Sequence, residues 1–399
     1  MVLRGIGFCP GHITGFFSIH DQSREIMSCG SRGAGVSLSL GALAAVTLKT
    51  PEDTGCSDPI SLRLAVKGVN DFHVDPRIYA SVLESLLPEK GKGWEVALRI
   101  NLQLPVGQGF GMSGAGALSS SVAIWEALYS NLPAWDRKLR FKAQMERFFS
   151  MDTGKFRVKP LKKRLVNRAQ LWARSGEKVA PVRSTGKASG MIEEGGGVKS
   201  PKRWLDESRA GDDLGLLTYS DVVMAAHRAE IMTKGGLGDV VAQARGGLEM
   251  RLAPGVPPFG EVHTIPVNVN NPPSVAVMIV GERIDTPMVL SHPYKRKLIN
   301  EAGENALRNL LKNPTPQRMV EESSEFSRLS RLQSLQVKGA LMEVEDHVPA
   351  SQIMVGNSVF AFVGGSLGAG KRKAVSEIWG RRGEVQILDI DLIGARPVN

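Results

Sequence analysis

The chain has 399 residues, 42% of them apolar and 23% charged, which suits a globular protein with a sizeable core and argues against disorder. Its longest apolar runs, such as Ser274 to Val280, are far too short for a membrane span, and Pro10, Gly11 and Gly15 interrupt the N-terminal apolar stretch, against a signal peptide. A net charge of +10 admits two partner classes, anionic small molecules and nucleic acid, and the placement of that charge bears on the choice.

Residues 1–50 read as a strand, a glycine-rich turn and a second strand, with Val36-Ser-Leu-Ser-Leu40 alternating at period two. Residues 60–70 alternate again. Pro76 after Asp75 opens a helix over 76–87, and a strand follows over 94–104. Next come Pro105-Val-Gly-Gln-Gly-Phe-Gly-Met-Ser-Gly-Ala-Gly-Ala117 and an apolar helical run from Leu118 to Leu128. Residues 151–210 then differ in composition: 15 Lys or Arg stand against 6 Asp or Glu, with a glycine triplet at 195–197 and little hydrophobic period. This reads as a flexible basic insert that carries nearly all of the net charge. Its aromatic residues are Phe156, Trp172 and Trp204, a composition that fits a solvated loop at least as well as a nucleic-acid module, so nucleic acid stays open as a partner there.

Order resumes at Tyr219. A helix over 220–232, a turn at Gly235, Gly236 and Gly238, a short helix over 240–245 and a strand over 248–252 follow. The last part reads as a strand over 274–280, helices over 294–311 and 314–331, and a final strand over 384–390. Gly365 to Arg372 nearly fits a P-loop, but Arg372 replaces the Ser or Thr that would hold magnesium, and it is read as a glycine-rich loop. Cys9, Cys29 and Cys56 form no C-x-x-C pair, which suits buried thiols in a reducing cytoplasm.

The strand–glycine loop–helix at 94–128 carries the strongest chemical signal. Backbone N–H groups of such a loop and the positive end of the following helix converge on one point, and glycines let a phosphate approach. Gly107, Gly109, Gly111, Ser113, Gly114 and Ala115 form the candidate cradle, with Pro105 at its entrance. The segment Gly109 to Gly114 also fits the dinucleotide pattern G-x-G-x-x-G, but no acidic residue ends a second strand at the spacing that pattern needs. A nucleotide-using enzyme is the leading reading.

Several segments together resemble the GHMP kinases, and most closely the archaeal-type pantoate kinases. They are Cys9-Pro-Gly-His-Ile-Thr-Gly-Phe-Phe17, Gly30-Ser-Arg-Gly-Ala-Gly-Val36, the 105–117 loop, Ala226-His-Arg-Ala-Glu230, Gly236-Leu-Gly-Asp-Val-Val-Ala-Gln243 and Val355-Gly-Asn-Ser-Val-Phe-Ala361. The resemblance covers roughly 1–135 and 214–399 and implies an α+β GHMP kinase fold. An N-terminal domain like domain 2 of ribosomal protein S5 would precede a C-terminal ferredoxin-like domain, with ATP and substrate between them. The division expected is 1–150, the insert 151–213, 214–262 as the remainder of the first domain, and 263–399.

The resemblance further implies a cytoplasmic enzyme that uses ATP and Mg²⁺ to phosphorylate pantoate; other GHMP acceptors, such as mevalonate-pathway substrates or homoserine, stay open, as does a homodimer. Phosphoryl transfer of this kind needs a held triphosphate, a neutralising metal and an aligned hydroxyl. Ser113 and Glu230 are then the expected magnesium ligands. Asp239, otherwise a natural helix N-cap, becomes a carboxylate near the acceptor hydroxyl. Arg251, otherwise a surface arginine beside Glu249, becomes the grip on a pantoate carboxylate. His227 is expected to position substrate, and His12 and Ser31 to touch it. Arg32, His20 and Asp21 are weaker candidates for the same pocket.

Overall fold

A long antiparallel hairpin opens the chain, β1 (Val2–His20) and β2 (Gly30–Lys49). The structure, a computed structural model, describes residues 1–50, 60–70, 72, 75–87, 92–149, 217–283 and 292–398. β3 (Ser61–Lys67), α1 (Pro76–Leu86), β4 (Glu95–Leu102), α2 (Met112–Leu128) and α3 (Ala134–Phe148) follow. After the basic segment come α4 (Tyr219–Thr233), α5 (Asp239–Arg245), β5 (Leu248–Ala253) and β6 (Glu261–Thr264). The last part holds β7 (Ser274–Ile279), α6 (Pro293–Lys312), α7 (Pro316–Leu329), α8 (Leu335–Met342), β8 (Ala350–Ile353), β9 (Ser358–Val363), α9 (Ala369–Gly380), β10 (Val385–Asp389) and β11 (Arg396–Pro397).

The first sheet runs β11-β1-β2-β4-β3, with β5 on β2 and β6 on β5. β2 serves two partners: Ala42 to Lys49 pair with β4, and Gly33 to Val36 pair with β5. Where one partner gives way to the other, the loop leaving β4 meets the helix leading into β5. Gln243 of α5 donates to the Gly111 carbonyl at 2.8 Å. The hairpin therefore sets the distance between the glycine loop and α5.

β7 to β10 form the second sheet, in the order β10-β7-β9-β8, all antiparallel. With helices after β7 and after β9, this is the expected ferredoxin-like β-α-β-β-α-β pattern. Helices α6 and α7 join the two sheets. Phe326 packs on Phe16 and Phe17 of β1, with ring centroids 6.4 and 5.7 Å away. Gly303 lies so close to β1 that a Cβ there would sit 2.1 Å from the Phe17 carbonyl oxygen. One apolar core runs from β1 and α2 to Val275, Val277 and Phe360. The far face of the second sheet packs separately on Val337, Val375 and Trp379.

Helix α2 starts six residues before the apolar run that announced it. Its Gly-Ala-Gly opening reads as loop, yet Gly114 and Gly116 fit close beside Gln243 and Tyr79, and β1 offers glycines in return. A helix buried on nearly every side has no polar face to reveal its period. Short β6 and β8, α8 and α9 are further elements the sequence did not announce. The Gly365–Arg372 segment is a 3-10 turn followed by the start of α9, and none of its residues lines the cleft described below. The expected boundary at 262/263 falls inside β6; the first sheet ends at Thr264 and the second begins at Ser274. The 151–213 insert and Cys56 lie outside the described residues, and Cys9 and Cys29 are buried free thiols. Among the described residues no helix is long and apolar enough to cross a membrane.

Candidate active site

A cleft of about 660 Å³ opens between the first sheet and the β8–β9 turn. Gly107, Gly109, Gly111 and Ser113 line it, as do Glu230, Thr233 to Asp239, Thr14 and Ser31. The loop needs its glycines: Gly107, Gly109 and Gly111 have φ of 77°, 84° and 60°. Gly109 also presses against Met354, where a Cβ would lie 2.8 Å from the carbonyl oxygen. Gly111 is the N-cap of α2 and offers no side chain to cap it. The leading N–H groups of α2 are thus left for a ligand, which is how a helix start holds an anion. Ala115 sits one step too far in, because its N–H already bonds the Gly111 carbonyl at 2.9 Å. Pro105, Gly114 and Ala115 are outside the cleft lining.

The Ser113 hydroxyl donates to Glu230 Oε1 at 2.5 Å, so the first turn of α2 meets the last turn of α4. A capping box at Thr218 and Asp221 fixes the start of α4. Glu230 is 2% exposed. Burial pushes its carboxyl up to about 7, and the nearby negative charge of Asp239 adds to this while the Ser113 bond partly opposes it. Among the described residues no group of three or more His, Cys, Asp or Glu could hold a metal. A hydroxyl and one carboxylate suit magnesium, which keeps waters and takes substrate phosphates as its remaining ligands.

Asp239 is not an N-cap. Gly238 holds that position, and the Asp239 carboxylate turns instead to β1. Its Oδ1 accepts from His12 Nδ1 at 2.9 Å and from Thr14 Oγ1 at 3.3 Å. Burial raises the Asp239 carboxyl, but the His12 bond, the charges of His12 and Arg251 and the Thr14 bond outweigh it and hold it below the usual value. The other His12 nitrogen, Nε2, meets Glu249 Oε1 at 2.9 Å, and Arg251 Nη1 donates to the same oxygen at 2.5 Å. Burial would lower the His12 pKa, yet the two carboxylate bonds raise it. Gly35 opens the space for this ring, since a Cβ there would lie 2.2 Å from His12 Nε2.

Arg251 is buried, not on the surface, because β5 is covered on both faces. Its Nε and Nη2 have no hydrogen-bond partner among the described residues. Gly238 lies over it and over Ser31: a Cβ there would be 2.8 Å from Arg251 Nε and 2.2 Å from Ser31 Oγ.

The structure brings Ser31, Ser113, Glu230 and Asp239 to the cleft, sets His12 and Arg251 buried behind them and outside its lining but linked to Asp239 through the row His12–Glu249–Arg251, and separates four other candidates from this cluster. His227 is 1% exposed, outside the cleft lining, and bonds the Cys29 carbonyl at 3.0 Å. It anchors the turn that leads to Ser31, which makes it a positioning residue rather than a group at the reacting atoms. Arg32, His20 and Asp21 face α6 instead. Arg32 pairs with Glu304, His20 bonds Ser18 at 2.9 Å, and Asp21 pairs with Arg296 at 2.6 Å. Thr14, Gln243 and Glu249 belong to the site and were not singled out from the sequence. The first two lie inside quoted motifs, but nothing local marks Glu249 as buried.

A curated pantoate kinase of Thermococcus kodakarensis is 26% identical over 362 residues, 89% of this chain and 86% of that protein. A second, from Methanocaldococcus jannaschii, is 33% identical over 135 residues, 34% of this chain and 48% of its own length. A solved phosphotransferase related to the coenzyme A biosynthesis pathway superposes over 100% of this chain and 98% of its own, with TM-score 0.64 and 24% identity. The chain has the GHMP kinase fold and is similar to a curated pantoate kinase along most of its length. No family model matches the chain. Its fold is also that of mevalonate diphosphate decarboxylase from Staphylococcus aureus, with TM-score 0.57 at 10% identity over 100% of this chain and 99% of the other. One framework thus serves different acceptors, and the acceptor must be argued from the site.

Proposed function

We propose that this chain is a pantoate kinase, which transfers the γ-phosphoryl group of ATP to the 4-hydroxyl of pantoate and gives 4-phosphopantoate for coenzyme A biosynthesis. The observation that carries this reading is the match to the Thermococcus enzyme along 89% of the chain. The geometry supports it. Glu230 and Asp239 flank Gly236, where a Cβ would lie 2.9 Å from Glu230 Oε2 and 3.4 Å from Asp239 Oδ2. This closeness supports a phosphate side and an acceptor side that adjoin within one cleft.

In this reading the start of α2 receives the triphosphate, and Ser113 and Glu230 hold magnesium. Magnesium, when bound, neutralises charge on the phosphate oxygens. Asp239 faces the acceptor hydroxyl. Because His12 and Thr14 already occupy its Oδ1, it acts chiefly by orienting that hydroxyl. Arg251, with two unpaired N–H positions, receives the acceptor carboxylate beside Ser31. The test is ADP release with magnesium, ATP and pantoate, run beside mevalonate, homoserine and no acceptor. Release with pantoate alone is expected; release with another acceptor alone would overturn the substrate assignment.

A further inference from the structure

His12 is 0% exposed, and both of its ring nitrogens face carboxylate oxygens at 2.9 Å. A neutral imidazole has one N–H and one lone pair, so it would turn a lone pair on one of these oxygens. The arrangement is satisfied when both nitrogens carry hydrogen. Asp239 is tied to α5 and partly open to the cleft, its side chain 26% exposed, whereas Glu249 is fully enclosed. Glu249 Oε1 accepts from His12 and Arg251 together, and Oε2 has no partner among the described residues.

We propose that Glu249 is a positioning residue that keeps His12 doubly protonated and, through that ring, keeps Asp239 an oriented, weakly basic carboxylate. It does so while occupying only one nitrogen of Arg251. The charged groups around His12 are Asp239 from α5 and Glu249 and Arg251 from β5. β2 contributes Gly35 and the neutral Ser37, and the glycine loop contributes the Phe110 carbonyl, which accepts from the His12 backbone N–H at 3.0 Å. The charges along the row Arg251, Glu249, His12, Asp239 alternate in sign and cancel, which is how four ionised side chains coexist where three of them are buried. Removing the charge of Glu249 leaves the His12 cation with one carboxylate and frees a proton at Nε2.

The link to Asp239 chemistry rests on the kinase reading above; the protonation of His12 does not. The experiment is a pH titration of the His12 ring signals by NMR in the full chain, identified among seven histidines by His12→Gln, for wild type and Glu249→Gln. Both ring nitrogens of the wild type are expected to be protonated at pH 7. The titration midpoint should fall by at least one pH unit in Glu249→Gln, and the alkaline limb of kcat should move down with it while the KM for ATP stays the same. A neutral His12 at pH 7 in the wild type, or an unchanged midpoint in Glu249→Gln, would overturn the proposal. Should Glu249→Gln not fold, the wild-type nitrogen signals still decide it. A protein that phosphorylates some other acceptor, yet titrates as expected, would remove the substrate assignment and leave this device standing.

Discussion

Arg251 is held through one nitrogen and free at two others, and this governs what its replacement will do. Arg251→Ala would leave Glu249 buried with one fewer partner, a change that costs about 3–5 kcal/mol and confuses folding with binding. Arg251→Lys keeps the charge and loses the planar fork. It should raise the acceptor KM at least about tenfold with little change in kcat, read by steady-state kinetics. Asp239→Asn keeps the shape and removes the carboxylate, so turnover should drop by about 100-fold or more while ATP binding persists. His227 offers a prediction about pH. Burial holds its pKa down at about 4, opposed by the bonds to the Cys29 and Ile26 backbone. A histidine with a lowered folded pKa takes up its proton on unfolding. Its neutral-state stabilisation is complete above about pH 6.5 and is lost as pH falls toward 4, up to about 3 kcal/mol. His227→Gln should flatten the fall in thermal stability across that window, and an unflattened curve would show that the acid sensitivity resides elsewhere.

At the scale of elements, α2 lies on β1 closely enough that two strand positions must be glycine. A Cβ at Gly7 would lie 2.3 Å from the Ser119 carbonyl oxygen, and one at Gly5 would lie 2.1 Å from that of Ala123. Gly7→Ala should therefore lower stability by more than about 2 kcal/mol in denaturant unfolding, as other overpacked core changes do. Gly370, within α9, has nothing near it, and Gly370→Ala should instead raise stability by about 0.5–1 kcal/mol. The contrast matters for function, because α2 carries Ser113 and any shift of the helix on β1 moves that hydroxyl relative to Glu230.

Across the whole molecule, the chain ends by returning to the first sheet. The Asp391 carbonyl accepts from Gly247 N–H at 2.7 Å, and Ala395 N–H bonds the Gln243 carbonyl at 3.0 Å. The Asp391 carboxylate accepts from the Gly394 N–H and pairs with Arg396 at 2.8 Å. This segment is laid along α5 and the start of β5, the elements that carry Asp239, Glu249 and Arg251. Asp391→Ala should lower the melting temperature and also reduce kcat several-fold at temperatures where the protein is fully folded. A loss of stability with normal turnover would mean that α5 keeps its place without this support.

Local sequence determined a good part of this protein. An apolar run marked β1, period-two runs marked β2 to β5, a Pro after Asp marked α1, and glycines at 107, 109 and 111 marked a loop that only such residues can form, because each has a positive φ. Ser113, Glu230 and Asp239 were singled out through segments that resemble GHMP kinase motifs, and all three line one cleft. What stayed hidden depends on contacts between distant parts of the chain. The opening of α2 is helical because Gly114 and Gly116 are packed, not because they favour helix. Nothing local showed that Glu249 and Arg251 would be enclosed; β6 and β2 flank their strand and both its faces are covered. Tertiary structure alone decided that His12 stands between residues 227 and 237 positions away in sequence, and that His227 does not face the cleft. A side chain's charge state and task are set by the groups packed around it, and those groups are brought together only when the sheet is complete.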